Sequence, residues 1–375
     1  MKDFIRNYKM KIQALSPIHI GSGEKISKKE YINLWMEHKV IIPDPVRMYC
    51  DLCKKGLEKD YTEYMLNSNL ELGVWMKNHG IRKTDYQRWK RYEMDSGDAF
   101  SNIPGSRTVR PKEIMSFVKD AYGLPYVPGS SLKGMLRTAL LAYIISHNPV
   151  KYRSINEEIK EKTGQREKRH QCLSRECMQL ETEVFHTLNR DKNSKNSAVN
   201  CNLSGLHISD SQPLTLEDLT LSQKIDYTME GKEKPLPILR ETLIPGTEIY
   251  FEITIDRTQC PYTIENIMEA LEEFQQCAYK YFYSKFYRGS SEEGIIWLGG
   301  GCGFLSKTIL YPFFKEQAVK ITDGVFKNTL GKNYSVHKHY RDIPLKLAPH
   351  VCKCTRYNGR LYDMGMGKIE RIGYK

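Results

Sequence analysis

The sequence predicts an α+β protein of two ferredoxin-like domains with helical insertions. Three observations carry this. The chain has 375 residues, 40% of them hydrophobic, which is more than one ordinary core accommodates. Strand-like alternation leading into helical periodicity occurs twice, across residues 8–144 and again across residues 249–278. Two charge-rich stretches, near residues 65–110 and 150–200, interrupt that pattern and read as insertions. The expected division is 1–235 and 236–375, with a basic tail on the second domain.

Residues 8–15 alternate and read as the first strand, stopped by Ser16-Pro17. Ile18-His19-Ile20 then opens into a Gly21-Ser22-Gly23 loop. Residues 31–36 and 39–42 read as two strands paired through Glu37-His38. Asp44-Pro45 caps and starts a helix whose apolar face collects Val46, Tyr49, Cys50, Cys53 and Leu57. Residues 65–100, with Trp75 and Trp89, read as helical, and 105–110 as a loop.

Residues 126–145 are the centre of the chain. Pro128-Gly129 is a turn dipeptide, and Ser130 or Ser131 is placed to cap the first helical turn. Leu132, Met135, Leu136, Ala139, Leu140, Tyr143 and Ile144 then follow helical spacing. The opposite stripe gathers Ser130, Lys133, Gly134 and Arg137. A glycine inside a helix costs about 1 kcal/mol relative to alanine, so Gly134 needs a reason. One reason is close packing against another backbone. The other is an anionic backbone lying across a helix N-terminus, where free N–H groups and the dipole favour phosphate.

Beyond it, residues 151–175 read as a solvated helical excursion and 189–198 as a mobile polar loop. Residues 206–211 return to a strand of the N-terminal sheet. In the second unit Ile249, Phe251, Ile253 and Ile255 alternate. Thr263 caps a helix carrying Ile264, Ile267, Met268, Leu271, Phe274 and Ala278 on one face. Ile295–Leu298 then runs into the glycine-rich stretch 299–308.

The formal charge is +12 and the pI about 9.0, which points to an anionic partner. From Gly301 onward there are 14 Lys/Arg against 5 Asp/Glu, so +9 of that charge lies in the tail. Aromatic residues such as Tyr311, Phe313, Phe326, Tyr334 and Tyr340 are interleaved there, a mixture suited to stacked bases. No apolar run approaches the ~20 residues of a membrane span, and residues 1–10 carry no secretory pattern, which predicts a cytoplasmic protein. The ten cysteines then lie in a reducing compartment. Cys50/Cys53 and Cys352/Cys354 could complete a four-thiolate zinc site. Because the first pair falls on the apolar helix face, it reads more simply as core, and no metal or cofactor is expected.

The 299–308 stretch narrowly misses a nucleotide-binding P-loop: Gly301, Lys307 and Thr308 fit, but Ser306 replaces the second glycine. A donor-rich loop followed by a cation remains, suited to a phosphodiester backbone. Three segments, Leu15 to Gly23, Pro128 to Arg137 and Gly299 to Thr308, together resemble the RAMP proteins of CRISPR effector complexes. Within these they look most like the family of fifth Csm subunits of type III-A complexes. The resemblance implies an RRM-like fold, membership of a ribonucleoprotein, contact with guide RNA (crRNA) and no active site of its own. It places such a subunit at the end of the backbone filament, near the guide's 3′ end, where it is needed for guide maturation. The implied partners are the guide, the other subunits including the backbone RAMP subunits, and host ribonucleases that trim the guide; neither membrane nor direct DNA contact is implied. By motif match the RNA-binding residues are Gly21, Ser22 and Gly23; Ser130, Ser131, Lys133, Gly134 and Arg137; and Gly299, Gly300, Gly301, Gly303 and Lys307. The aromatic RNP1 run of an RRM is missing, so loops and helix N-termini are the expected contacts.

Two alternatives belong to other classes. A metal-independent endoribonuclease processing guide precursor would use His19 as general base, with Lys133 or Arg137 stabilising the phosphorane. A protein–protein adaptor would dock acidic subunits on the basic tail.

Overall fold

The structure is a computed structural model that describes residues 4–100, 113–165 and 172–374. The chain begins with β1 (Ile5–Ala14), β2 (Gly21–Ser27), β3 (Ile32–Leu34) and β4 (Lys39–Pro43). Four short helices follow, α1 (Pro45–Lys54), α2 (Glu58–Asn67), α3 (Leu72–Asn78) and α4 (Lys83–Trp89), and then β5 (Lys90–Asp95). Next come β6 (Glu113–Phe117), the long α5 (Gly129–His147), α6 (Arg153–Gly164) and α7 (Ser174–Phe185). Then come β7 (Leu206–Ile208), β8 (Leu219–Thr228), β9 (Glu233–Leu243), β10 (Glu248–Asp256), α8 (Ile264–Tyr281) and β11 (Ile295–Trp297). The last part holds α9 (Leu310–Phe314), α10 (Ala318–Thr329), α11 (Lys332–Val336), β12 (Val351–Tyr357), β13 (Arg360–Asp363) and β14 (Met366–Tyr374). Among the described residues, no helix is long and apolar enough to cross a membrane.

Tyr8, Met10, Ile12 and Ala14 are buried on one face of β1, and Ile249, Phe251, Ile253 and Ile255 on one face of β10. That shared period of two makes them neighbours in an antiparallel sheet of order β11-β14-β1-β10-β7. Helices α5 and α8 pack against each other and contact the outer strands β7 and β11. Thr263 caps α8 by accepting the Asn266 N–H at 3.3 Å, and Ile264, Ile267 and Leu271 face inward. An antiparallel sheet joined to two helices that pack side by side is ferredoxin-like layering.

The second sheet is mixed, in the order β2-β6-β9-β8-β5-β4-β3, with β12 and β13 branching from β8. Pairs β5/β8 and β6/β9 are parallel and the rest antiparallel. A smaller core closes one end, where Met48, Leu52, Tyr64, Trp75 and Trp89 cover Ile32 and Ile41. Position 235/236 falls inside β9, and both sheets take strands from either side of it.

Several local expectations are corrected. Asp44 caps α1 with Pro45 in its first turn, but the helix buries Met48 and Leu52, so Val46, Tyr49, Cys50 and Cys53 form its exposed side. Residues 21–27 form an exposed strand rather than a loop, irregular in register between Gly21 and Lys25. Neither Ser130 nor Ser131 caps α5; the Gly129 N–H donates instead to Asp210 Oδ1 at 2.7 Å. Helix α6 is not solvated all round, because Ile155 and Ile159 are buried and it packs on α10. The loop at 189–198 is tied down by Asn200, whose amide donates to the carbonyls of Asp191 and Ser194, both at 2.9 Å. The loop expected at 105–110 lies outside the described residues.

Candidate nucleic-acid interface

Three segments far apart in sequence meet at one cleft of about 420 Å³. Gly21 comes from the head of β2, Ser130, Ser131 and Gly134 from the first turns of α5, and Gly299, Gly300 and Lys307 from the loop after β11. The loop's path depends on glycine. Gly299, Gly301 and Gly303 have φ of +89°, +92° and +95°, a region that side chains disfavour. A Cβ on Gly299 would lie 2.2 Å from the His19 carbonyl oxygen, and the same oxygen accepts the Gly300 N–H at 2.7 Å.

His19 is therefore the joint beneath the loop. It is 4% exposed, and its Nδ1–H donates to the Glu241 carbonyl at 2.7 Å. Burial pushes the imidazole down to about 4; the Glu241 hydrogen bond opposes this in part, and the charges of Arg240, Lys119 and Lys307 add to it. The ring is neutral at physiological pH. Below it the buried Glu241 carboxylate accepts from Tyr92 Oη at 2.6 Å, from the Phe117 N–H at 2.7 Å and from the Lys119 ammonium. This network ties β5, β6 and β9 together under the cleft.

Gly134 is exposed, and a Cβ built there meets nothing within 4 Å. Close backbone packing is thus not its reason. The face of α5 toward the cleft runs through Ser130, Gly134 and Thr138, one residue per turn. Lys133 and Arg137, one turn apart, lie together on one side of that line and turn away from the cleft, where the motif match expects phosphate contacts. The Lys133 ammonium donates to the carbonyls of Leu203 at 2.8 Å and Leu206 at 2.7 Å. The Arg137 guanidinium pairs with Glu181 at 2.5 Å and lies over the Phe185 ring. Both cations hold neighbouring segments onto α5. Ser22, Gly23, Gly301 and Gly303 also lie off the cleft wall; Gly301 faces Arg240, and Gly303 faces Lys353.

The positive charge beside the loop comes from Lys307, which the motif match names, and from two residues that no motif marks. Arg240 on β9 and Lys224 on β8 are half-buried, and Lys307 is exposed. Burial lowers the pKa of Lys224, and the neighbouring charges of Lys353 and Arg240 reinforce it. Lys353 pairs with Asp226 at 2.7 Å. Among the described residues, the side chains of Lys224, Arg240 and Lys307 have no carboxylate partner. Asp226 offsets part of the charge on Lys224 and Arg240 without pairing with either, and a net positive cluster beside a glycine loop suits an anionic chain. Lys224 and Arg240 are brought together by the β8–β9 ladder, so no local pattern could have shown it.

The tail is less available than its composition suggests. Lys327, Arg341, Arg356 and Arg371 pair with Asp323, Glu230, Glu233 and Glu265. Tyr311, Phe314 and Phe326 are buried rather than free to stack. The cysteine pairs do not join: Cys50 and Cys53 are exposed on α1, whereas Cys352 and Cys354 are buried against Asp363. His19 is buried and weakly basic, and Lys133 and Arg137 are engaged with other segments, so these three side chains do not converge on one point.

The RAMP superfamily profile matches residues 11–306. The CRISPR system Cms protein Csm5 of Mycobacterium tuberculosis (strain ATCC 25618 / H37Rv) is 28% identical over 396 residues, covering 98% of each chain. The protein of the same name from Streptococcus thermophilus is 28% identical over 349 residues, covering 88% of this chain and 89% of the other. In fold, the chain resembles a subunit in a cryo-EM structure of a Csm–crRNA–target RNA ternary complex of a type III-A CRISPR-Cas system. The TM-score is 0.66 at 19% identity, over 97% of this chain and 100% of the other. A crystal structure of Csm5 from T. onnurineus gives a TM-score of 0.59 at 19% identity, over 96% and 99%.

Proposed function

The chain belongs to the RAMP superfamily, and from that premise we propose that it is a non-catalytic guide-RNA-binding subunit of a type III-A CRISPR effector complex. In this reading it caps the backbone filament near the guide's 3′ end, contacts the backbone RAMP subunits, and is needed for the guide to mature. Host ribonucleases that trim the guide act beside it, in the cytoplasm. The observation that supports this most is the convergence of three separate segments on one cleft, with open space over Gly134 and unpaired cations alongside. Glycines let a sugar-phosphate backbone approach, serine hydroxyls and the N-terminal turn of α5 offer donors, and Lys307 and Arg240 supply charge. Contacts of this kind carry no sequence information, so binding should tolerate any guide sequence.

The test is a salt titration with unrelated single-stranded RNAs of equal length. Equal affinities are expected, with log Kobs falling by roughly 0.7 per log unit of salt for each phosphate engaged. Salt-independent binding would contradict the proposal. Incubation with repeat RNA in EDTA should leave no 2′,3′-cyclic phosphate ends, the product of the endonuclease alternative.

A further inference from the structure

The segment between α11 and β12 carries a polar cluster that the cleft does not use. His339, Asp342 and His350 are 8%, 0% and 7% exposed. Oδ2 of Asp342 lies 2.9 Å from His339 Nδ1, and its Oδ1 contacts His350 Nδ1. The three donor atoms lie within 4.8 Å of one another. Among the described residues, no Lys or Arg pairs with Asp342. A buried carboxylate needs a compensating charge, which here is either a proton on an imidazole or a metal cation.

The donor set fits the second. Two neutral imidazoles and one carboxylate are ligands of zinc, at bond lengths of roughly 2.0–2.2 Å. Apart from one short 3-10 turn, residues 337–350 have no regular secondary structure to hold these side chains together. The ring of Phe326 lies 4.4 Å from that of His339 and forms an apolar wall to the group. The other converging set, Cys352, Cys354 and Asp363, lacks this character. Arg288 already neutralises Asp363, and the mutual hydrogen bond and burial push the Cys352 thiol well up, so it stays protonated.

We propose that His339, Asp342 and His350 bind one Zn²⁺ ion, which fastens the 337–350 segment ahead of β12, with water in the fourth position. The experiment uses the full-length protein. Metal is stripped with EDTA, the protein is titrated with Zn²⁺ against a chromophoric chelator, and the Co²⁺ form is examined for tetrahedral d–d absorption. One equivalent per chain is expected for wild type and for Cys352→Ser. At least tenfold weaker binding is expected for His350→Gln and for Asp342→Asn. Zinc should also raise the melting temperature of the stripped wild type. The proposal fails if wild type binds no stoichiometric zinc. It also fails if both variants, folded by circular dichroism, bind as wild type does, or if only Cys352→Ser loses binding. Should either variant not fold, wild-type stoichiometry and the Co²⁺ spectrum still decide.

Discussion

Replacing Gly134 with leucine separates the roles this glycine can have. Leucine is close to alanine in helix propensity, so the exchange should gain about 0.7 kcal/mol for the isolated helix. A Cβ at this position meets nothing within 4 Å, so no overpacking offsets that gain. With an unfolding entropy of ~2.1 cal/mol/K per residue, 375 residues give about 0.8 kcal/mol/K, and the melting temperature should rise by roughly 1 °C. The same side chain projects into the cleft of about 420 Å³ and displaces whatever lies there. Losing one charge-assisted hydrogen bond to phosphate, worth ~1.5–3 kcal/mol, weakens binding by roughly 10- to 150-fold. Thermal melting of the free protein and filter binding of guide RNA read the two effects on one sample. Wild-type affinity in a folded variant would refute the cleft as the RNA path. A melting temperature several degrees lower would mean that protein, not RNA, needs the space.

Arg240→Gln combined with Lys307→Gln should weaken binding alike for unrelated RNAs and make the salt slope shallower by about 1.4, at ~0.7 per phosphate, with little change in melting. Lys133→Ala should do the reverse. It leaves the Leu203 and Leu206 carbonyls without their donor, so stability should fall by about 1–3 kcal/mol while RNA affinity in the folded fraction holds. His19 has its pKa depressed in the folded state, so its contribution is complete above the ordinary pKa of 6.5 and is lost as pH falls toward about 4. At 1.36 kcal/mol per unit this amounts to about 2 kcal/mol between pH 6.5 and 5. Urea melts of wild type and His19→Asn should differ in pH slope across that window, and parallel curves would argue against a buried neutral ring. The variant should support guides of normal length in an assembled complex; lost maturation with normal assembly would favour the endonuclease.

What was legible in the sequence is what local chemistry determines. The Asp44-Pro45 start of α1, the Thr263 cap of α8, and the alternation in β1 and β10 depend on residues a few positions apart. The three glycine- and serine-bearing segments are visible as motifs, and seven of the thirteen residues named from them, Gly21, Ser130, Ser131, Gly134, Gly299, Gly300 and Lys307, line the one cleft. The orientation of α5 was not legible. Successive residues on a helix differ by about 100°, so Lys133 and Gly134 share a broad stripe yet face different neighbours. Those neighbours, the carbonyls of Leu203 and Leu206, lie some 70 residues away in sequence. Arg240 and Lys224 were missed for the same reason, because strand pairing alone unites them. In α1 the apolar set was divided between two sides, and burial went to Met48 and Leu52 rather than to the cysteines.

That the cleft holds the guide's backbone is tested most directly by photo-crosslinking. Guide RNA carrying 4-thiouridine is assembled into the whole complex, irradiated, and the crosslinked peptides are identified by mass spectrometry. The expected crosslinks fall on the first turns of α5, residues 129–138, and on the loop at 299–307. Efficient crosslinks confined to other parts of the chain, with those two peptides recovered unmodified, would contradict it.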